Sequence, residues 1–382
     1  MKVFVIAGEP SGDRLGRAVM AGLKSLDPGV SFDGIGGPLM TGEGLVSRFP
    51  MEELSVMGIA EVLPRYRHLM RRLDETARAV IETKPDILLT IDSPDFCLRV
   101  ARRVKAAGAP VRCVHYVAPS VWAWRPGRAA RMARSIDQVL ALLPFEPPYM
   151  EAAGMECDFV GHPVVTDPQA SEKEARAFRD RHGIGDAPLL LALPGSRRGE
   201  VQRLSETFGG ALARVQAALP QARVVLPCAA PVVDLVRAET RHWTVAPLLI
   251  DPAEDPDGAE KRAAFRAADV ALAASGTVSL ELAAAETPMV IAYDMGWISR
   301  QIIGRMLLTD TVTLVNLVSE TRSVPEFIGK RCQPEAIGRG LLRVLERPEA
   351  QRAALRETMM RLGAEGEAPG LRAARAILSR AG

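Results

Sequence analysis

This chain predicts an α/β protein of two similar domains, and three observations carry the prediction. At 382 residues it exceeds one ordinary core, given roughly 100 to 200 residues per domain. Short, continuously apolar segments recur along it, as strands buried on both faces of a parallel sheet require. Each half also opens on the same local design, an apolar strand running into a glycine turn and then a helix. In the first half VFVIA precedes GEPSGD, and in the second LLLAL precedes PGSRRGE.

Composition narrows the class of function. Hydrophobic residues at 48% and charged residues at 25% describe a folded globular chain rather than a disordered one. A formal net charge of +2 argues against a dedicated nucleic-acid binder, although a local basic patch can still meet phosphate. The five cysteines are scattered, without a Cys-x-x-Cys pair, and read as reduced core residues. Met1 and Lys2 lead straight into a strand too short for a secretory h-region, so no signal peptide is expected. Every apolar run falls short of the about 18 residues of a spanning helix, which leaves only peripheral membrane contact.

In chain order, the first strand at 3–7 meets the loop 8–13 and then an amphipathic stretch from Leu15 to Leu26. Gly8 and Gly12 do not make a Gly-x-Gly-x-x-Gly fingerprint, and Glu9 and Asp13 would repel a pyrophosphate. This loop, with Gly8, Glu9 and Ser11, is therefore expected to face a sugar or an acceptor hydroxyl. The segment VMGIAEVLPRYRHLMRRL at 56–73 sets Met57 and other apolar side chains beside Arg65, Arg67, His68, Arg71 and Arg72. Such a mixture suits a surface lying against anionic lipid; the alternative is a solvated basic helix face.

DILLTID at 86–92 is a buried strand ending in a carboxylate. In open α/β sheets the carboxyl ends of strands face the ligand crevice, which makes Asp92 the first candidate for catalysis and Glu9 the second. Asp95 reads as an N-cap for the helix that follows. The strand at 111–117 leads into APSVWAWRPGR, where Trp122 and Trp124, two of only four tryptophans, pack as a lid, meet acyl chains or are ordinary core. A further strand at 139–143 ends in LPFE, and CDFVGHP closes the half. His115 and His162 lack metal-ligand spacing and read as structural.

Residues 167–186 turn polar and helical, as expected of a crossing between domains. In the central turn, Gly195 lets the backbone approach a ligand, Ser196 can cap the next helix, and Arg197 adds a fixed positive charge to a helix N-terminus suited to an anion. An ordinary strand-to-helix turn is the plain alternative. Strands at 223–226 and 245–250 follow, and then DPAEDPDG, whose Asp-Pro-Asp superficially matches a metal-binding pair but whose two prolines and glycine favour an acidic turn. After the strand at 270–274, SGTVSLE offers Ser275, Gly276 and Thr277 to a diphosphate, and Glu281, one turn along, to the hydroxyls of a ribose. A merely capped helix with a surface glutamate is the alternative there. Asn316, a lone amide in TVTLVNL, is a further ligand candidate, and the chain from Pro334 onward is helical and arginine-rich.

Taken together and in this order, AGEPSGD, IDSPDF, HYVAPSVWAWR, LLPFE, FVGHP, LPGSR and SGTVSLE resemble the lipid-A-disaccharide synthase family over almost the whole chain. HYVAPSVWAWR and AGEPSGD are long and specific, whereas LPGSR or SGT alone would say little. The resemblance implies a GT-B glycosyltransferase: two Rossmann-like doubly wound domains facing across a cleft, an acceptor domain at 1–166 and a UDP-sugar domain at 167–345, with C-terminal helices at 346–382 packing back toward the first. It implies inverting transfer of 2,3-diacylglucosamine from UDP-2,3-diacylglucosamine to the 6-hydroxyl of 2,3-diacylglucosamine 1-phosphate, giving a β-1,6 disaccharide. No metal and no cofactor is expected, nor a nucleic-acid partner. The work would be done at the cytoplasmic face of the inner membrane, by a peripheral protein with room for a homodimer. Val315 stands where the family pattern has proline, and Arg198 doubles the charge after Arg197; both bear on loop geometry alone.

On this reading Asp92 takes the acceptor proton during inversion, and Arg197 with the turn at Ser275 stabilises departing UDP. The alternatives are another UDP-N-acetylglucosamine enzyme on the same fold, either an epimerase or a cell-wall glucosaminyltransferase; a nicotinamide oxidoreductase, disfavoured by the missing fingerprint; and a non-catalytic nucleotide-sugar or lipid binder.

Overall fold

The structure, a computed structural model, describes residues 1–54, 59–125, 127–294 and 309–380, the stretch 59–65 as backbone only. Two compact units divide it. One is Met1–Thr166 together with the segment from Leu362, and the other is Asp167–Arg361. Each is built on a six-stranded parallel sheet.

In the first unit the strands are β1 (Lys2–Ala7), β2 (Ser31–Ile35), β3 (Ile87–Ile91), β4 (Arg112–Tyr116), β5 (Gln138–Ala141) and β6 (Glu156–Phe159). They lie in the order β2-β1-β3-β4-β5-β6. Side-chain alternation sends Phe4, Ile6 and Leu88 into one core and Val3, Val5, Leu89 and Ile91 into another. Both faces are thus covered, which is why ILLTI is almost unbrokenly apolar. Its one polar residue, Thr90, donates from Oγ1 to the Val114 carbonyl (3.1 Å) and lies 2.8 Å from His115 Nδ1.

The second unit carries β7 (Leu189–Leu193), β8 (Arg223–Pro227), β9 (Leu248–Ile250), β10 (Val270–Ala273), β11 (Met289–Tyr293) and β12 (Glu326–Ile328), ordered β12-β11-β10-β7-β8-β9. Each sheet therefore has one place where the winding reverses: between β1 and β3 in the first, and between β7 and β10 in the second. Ligands of open α/β sheets bind at the carboxyl ends of the strands flanking such a reversal. The register sets Ala7 beside Ile91 and Leu193 beside Ala273, so the chain leaves all four strands at those two points.

Four expectations need correction. The first helix is Pro10–Leu26 rather than a stretch from Leu15, because Pro10, with φ preset for a helix, starts it directly after Glu9. Ser11, Gly12 and Asp13 are accordingly helical. The buried Asp13 carboxylate accepts N–H bonds from Gly37, Leu39 and Met40 at 2.9–3.0 Å, tying down the start of the helix Pro38–Gly42 rather than facing a ligand. The helix Pro94–Ala106 is entered through Ser93, and Asp95 lies within its first turn.

The fourth correction concerns the C-terminus. Helix Glu349–Arg361 stays with the second unit, where Thr358 Oγ1 reaches the Val315 carbonyl and Arg361 Nη1 that of Val318, so the boundary at 345/346 falls too early. Helix Pro369–Ser379 alone returns to the first unit, against Pro10–Leu26. Gly370 permits that packing: a Cβ there would stand 2.6 Å from the Ala18 carbonyl oxygen. Among the described residues no helix is long and apolar enough to cross a membrane.

Candidate active site

The carboxyl ends of β7 and β10 open on a cavity of about 400 Å³ within the second unit. Gly195, Ser196 and Arg197 line it from the first turn, and Ser275, Gly276, Thr277 and Glu281 from the second. Gly195 has φ +120°, a conformation that side chains disfavour, and a Cβ there would meet Glu200 at 2.6 Å. The helix after it, Arg198–Ala218, starts at Arg197 as N-cap instead of Ser196. The helix after the second turn is Val278–Ala284, with Thr277 as N-cap. Seven of the eight proposed nucleotide residues therefore share one cavity.

Asn316 does not. It is buried in the helix Leu314–Ser319, its Nδ2 donating to the Val324 carbonyl (2.9 Å) and its Oδ1 accepting from Val324 N–H (3.0 Å). Both ends of the amide are engaged in holding the loop at 324, which corrects its assignment as a direct ligand contact. An amide in an apolar run looks the same in sequence whether it binds a ligand or the chain's own backbone.

Charges in the cavity are already paired. Glu200 Oε2 accepts from Ser196 N–H at 3.2 Å and Arg197 N–H at 3.3 Å, and its Oε1 lies 3.3 Å from Arg197 Nη1. The free anion-binding N–H groups expected of this turn are thus in use, since a glutamate at the third helical position can reach back over the N-terminus. Lys261 Nζ sits 2.7 Å from Glu281 Oε2 and 5.2 Å from the centre of the Phe265 ring. Sequence reasoning missed Lys261, which stands in an ordinary charged helix 20 residues before its partner. The neighbouring acidic turn is a turn: Asp255 accepts from Glu260 and Lys261 N–H, and Asp257 from Ala259 N–H, so both carboxylates serve the start of the helix Ala259–Ala267.

In the first unit, Asp92 and Ser93 follow β3 with φ of 51° and 42°, and Val117 follows β4 with φ of 86°. Left-handed backbone is unfavourable for these residues, above all for a β-branched valine, and such strain gathers at functional sites. Burial raises the Asp92 pKa above the usual carboxylate range, with the Ser93 N–H pulling the other way. Gly8 packs on this turn so closely that a Cβ would stand 2.7 Å from Ser93 Oγ. The Ser93 hydroxyl is buried and, among the described residues, has no hydrogen-bond partner. Glu9 follows Gly8, so both candidate carboxylates leave the sheet from its two neighbouring strands. His115, buried beneath them, is held neutral by desolvation, its pKa lowered to about 4.

The expected lipid surface is partly dismantled. Met57 lies outside the described residues, as does the side chain of Arg65. Arg72 is clamped by Glu53 at 2.7 and 3.0 Å and stacks 4.5 Å over the Phe49 ring, so it braces the helix Ile59–Thr83 instead of facing lipid. Arg71, like Arg67 and Tyr66, is exposed. Trp122 is buried, edge-on to Phe145, with Nε1 donating to Glu146 Oε1 at 3.3 Å. It is core and not an acyl-chain contact. Trp124 is half-buried, with Arg125 4.3 Å over its ring. Glu146, which no sequence feature marked, is buried and its pKa is raised to about 7 by desolvation.

Comparison with known proteins adds an independent line. A sequence model of one family, described as lipid-A-disaccharide synthetase, matches residues 3–376. The lipid-A-disaccharide synthase of Ruegeria pomeroyi is 63% identical over 383 residues, covering 100% of this chain and 95% of that protein. The protein of that name from Rhodospirillum centenum is 45% identical, covering 99% and 94%. Among solved structures, UDP-GlcNAc 2-epimerase from Neisseria meningitidis bound to UDP-GlcNAc superposes with TM-score 0.62 at 12% identity, covering 99% of each chain. The corresponding epimerase from Methanocaldococcus jannaschii gives 0.61 at 12%, again covering 99% of each. The structural likeness speaks to the fold, two Rossmann-like parallel sheets of the GT-B type, while the sequence likeness is to the synthases.

Proposed function

The chain belongs to the lipid-A-disaccharide synthetase family, a family of glycosyltransferases, and from that premise we propose the reaction and the residues that perform it. The donor is UDP-2,3-diacylglucosamine and the acceptor 2,3-diacylglucosamine 1-phosphate. The acceptor 6-hydroxyl attacks the anomeric carbon, and its oxygen forms the new β-1,6 bond. The bond from that carbon to the diphosphate breaks, and its electron pair leaves with UDP. Asp92 receives the hydroxyl proton, a role favoured by a pKa above the ordinary carboxylate range. Arg197, with the turns at Gly195 and Ser275, balances the charge growing on UDP. Glu281 accepts from the ribose hydroxyls, and Glu9 orients the acceptor.

One observation carries this reading. Each sheet reverses its winding at one point, and at that point one unit presents carboxylates while the other presents a cavity lined with glycine, hydroxyls and arginine. An epimerase reading rests on fold likeness at 12% identity and is not favoured against 63% identity to a synthase. The test is to incubate the protein with both substrates and measure UDP and disaccharide. UDP-sugar bound without UDP release would make it a binding protein, and an altered donor configuration at C2 without transfer would make it an epimerase.

We further propose peripheral association with the cytoplasmic face of the inner membrane, supported by the exposed Tyr66, Arg67 and Arg71, which follow the apolar sequence VMGIAEVL in the chain. A homodimer is compatible with this and is read directly by sedimentation.

A further inference from the structure

We propose that Glu200 is an internal stand-in for the nucleotide's phosphate, and that it sets the affinity of the site by having to leave before the diphosphate can bind. The inference rests on the nucleotide cavity described above. Its basis is geometric. A carboxylate presents two anionic oxygens much as a phosphate does, and Glu200 turns both toward the donors of the central turn. Oε2 takes the Ser196 and Arg197 N–H groups at 3.2 and 3.3 Å, and Oε1 takes Arg197 Nη1 at 3.3 Å. No ligand oxygen can use those hydrogens while Glu200 does.

The surroundings show that this pose is built in. Gly195 is the residue over which the Glu200 side chain folds, with no room for a Cβ between them. Glu200 is only 14% exposed whereas Arg197 is 70% exposed, so the carboxylate is lodged in the turn and the guanidinium is reachable from outside. Across the same cavity, Lys261 Nζ pairs with Glu281 Oε2 at 2.7 Å. Both acids that line the cavity, Glu200 and Glu281, are thus already paired with cations of the protein itself.

A site that is competent only when its internal anion has swung out binds its ligand more weakly by the fraction of time it is open. Removing the stand-in should therefore tighten binding, the opposite of what loss of a binding residue does. A capping glutamate of this kind holds its turn by an amount that corresponds to about 3- to 30-fold. Displacement needs no bond making: the carboxylate moves to solvent and the diphosphate takes over its three hydrogen bonds.

Calorimetric titration of the full-length protein with UDP, inorganic pyrophosphate and uridine tests this. Glu200→Gln keeps an acceptor oxygen and the cap but removes the charge; Glu200→Ala vacates the turn. The expected result is that both bind UDP and pyrophosphate about 3- to 30-fold more tightly, alanine more than glutamine, with uridine unchanged and Arg197→Ala binding UDP less tightly. Unchanged or weaker UDP binding in Glu200→Gln, with Arg197→Ala still weakened, overturns the role of Glu200 and leaves the nucleotide cavity standing. If Arg197→Ala and Ser275→Ala bind UDP like the parent, the reading of the cavity itself fails. Thermal melts identify any loss through misfolding, in which case the glutamine variant decides.

Discussion

Glu146 offers a stability prediction whose sign and size both follow from its surroundings. Its carboxyl sits in the first unit at the end of the β5 loop, buried, with Leu143 N–H (3.0 Å) and Trp122 Nε1 (3.3 Å) as donors. Those bonds favour the ionised form, but desolvation outweighs them and lifts its pKa from 4.5 to about 7. In the unfolded chain the group titrates at its ordinary value. Between the two, the folded protein holds a proton that the unfolded chain has released, so stability falls as pH rises through this window and levels off above it. At about 1.4 kcal/mol per pH unit, the full fall is about 3 kcal/mol. Glu146→Gln keeps the shape and an acceptor oxygen without the charge. Its stability relative to the parent should therefore improve progressively from pH 5 to pH 7 and by about 3 kcal/mol at pH 8. Guanidinium melts of the full chain across that range measure it. A difference between variant and parent that stays constant from pH 5 to pH 8 would refute the reasoning, because then Glu146 does not titrate in the window.

Four further outcomes are expected. Asp92→Asn should lower turnover about 100- to 10,000-fold while UDP affinity stays within about threefold, since asparagine tolerates the left-handed backbone at this position as well as aspartate does. Parent activity should fall as pH drops through the raised Asp92 pKa; if Asp92→Asn keeps its turnover and Glu9→Gln loses it, Glu9 is the base. Gly8→Ala should depress activity by pushing the Ser93 side chain, and with it the Asp92 turn, and the added change Ser93→Gly should restore part of it; an active single variant removes that packing from the account. Sedimentation with anionic vesicles should weaken with salt and by about fivefold for each of Arg67→Gln and Arg71→Gln, and binding indifferent to lipid charge would leave a solvated helix face.

What the chain determined alone is mostly local. LLLAL forms a strand over the bounds of its apolar run, because a strand buried on both faces needs only its own composition to be recognised. The turns after β7 and β10 were legible for a related reason: glycine, proline and short hydroxyl residues dictate a backbone state within a few positions. Family membership was legible because motifs of such length, in such order, have little other explanation.

Pairing across long separations was decided by tertiary structure. Nothing near Trp122 in sequence says that Glu146 will meet its indole and draw it into the core, nor does anything near Arg72 announce Glu53. Lys261 entered the cavity at the ends of β7 and β10, and Asn316 was kept out of it, through contacts their own segments do not encode. Even Glu200, three residues from the arginine it holds, is not marked by its place in PGSRRGE, because whether a carboxylate points into solvent or back over its own N-terminus is a choice of rotamer. Backbone conformation is set chiefly by neighbours in the chain, whereas the partner of a charged side chain depends on which elements the fold brings beside it. The sequence therefore located the two turns that line the cavity, and the packing of side chains determined which charges are already paired there.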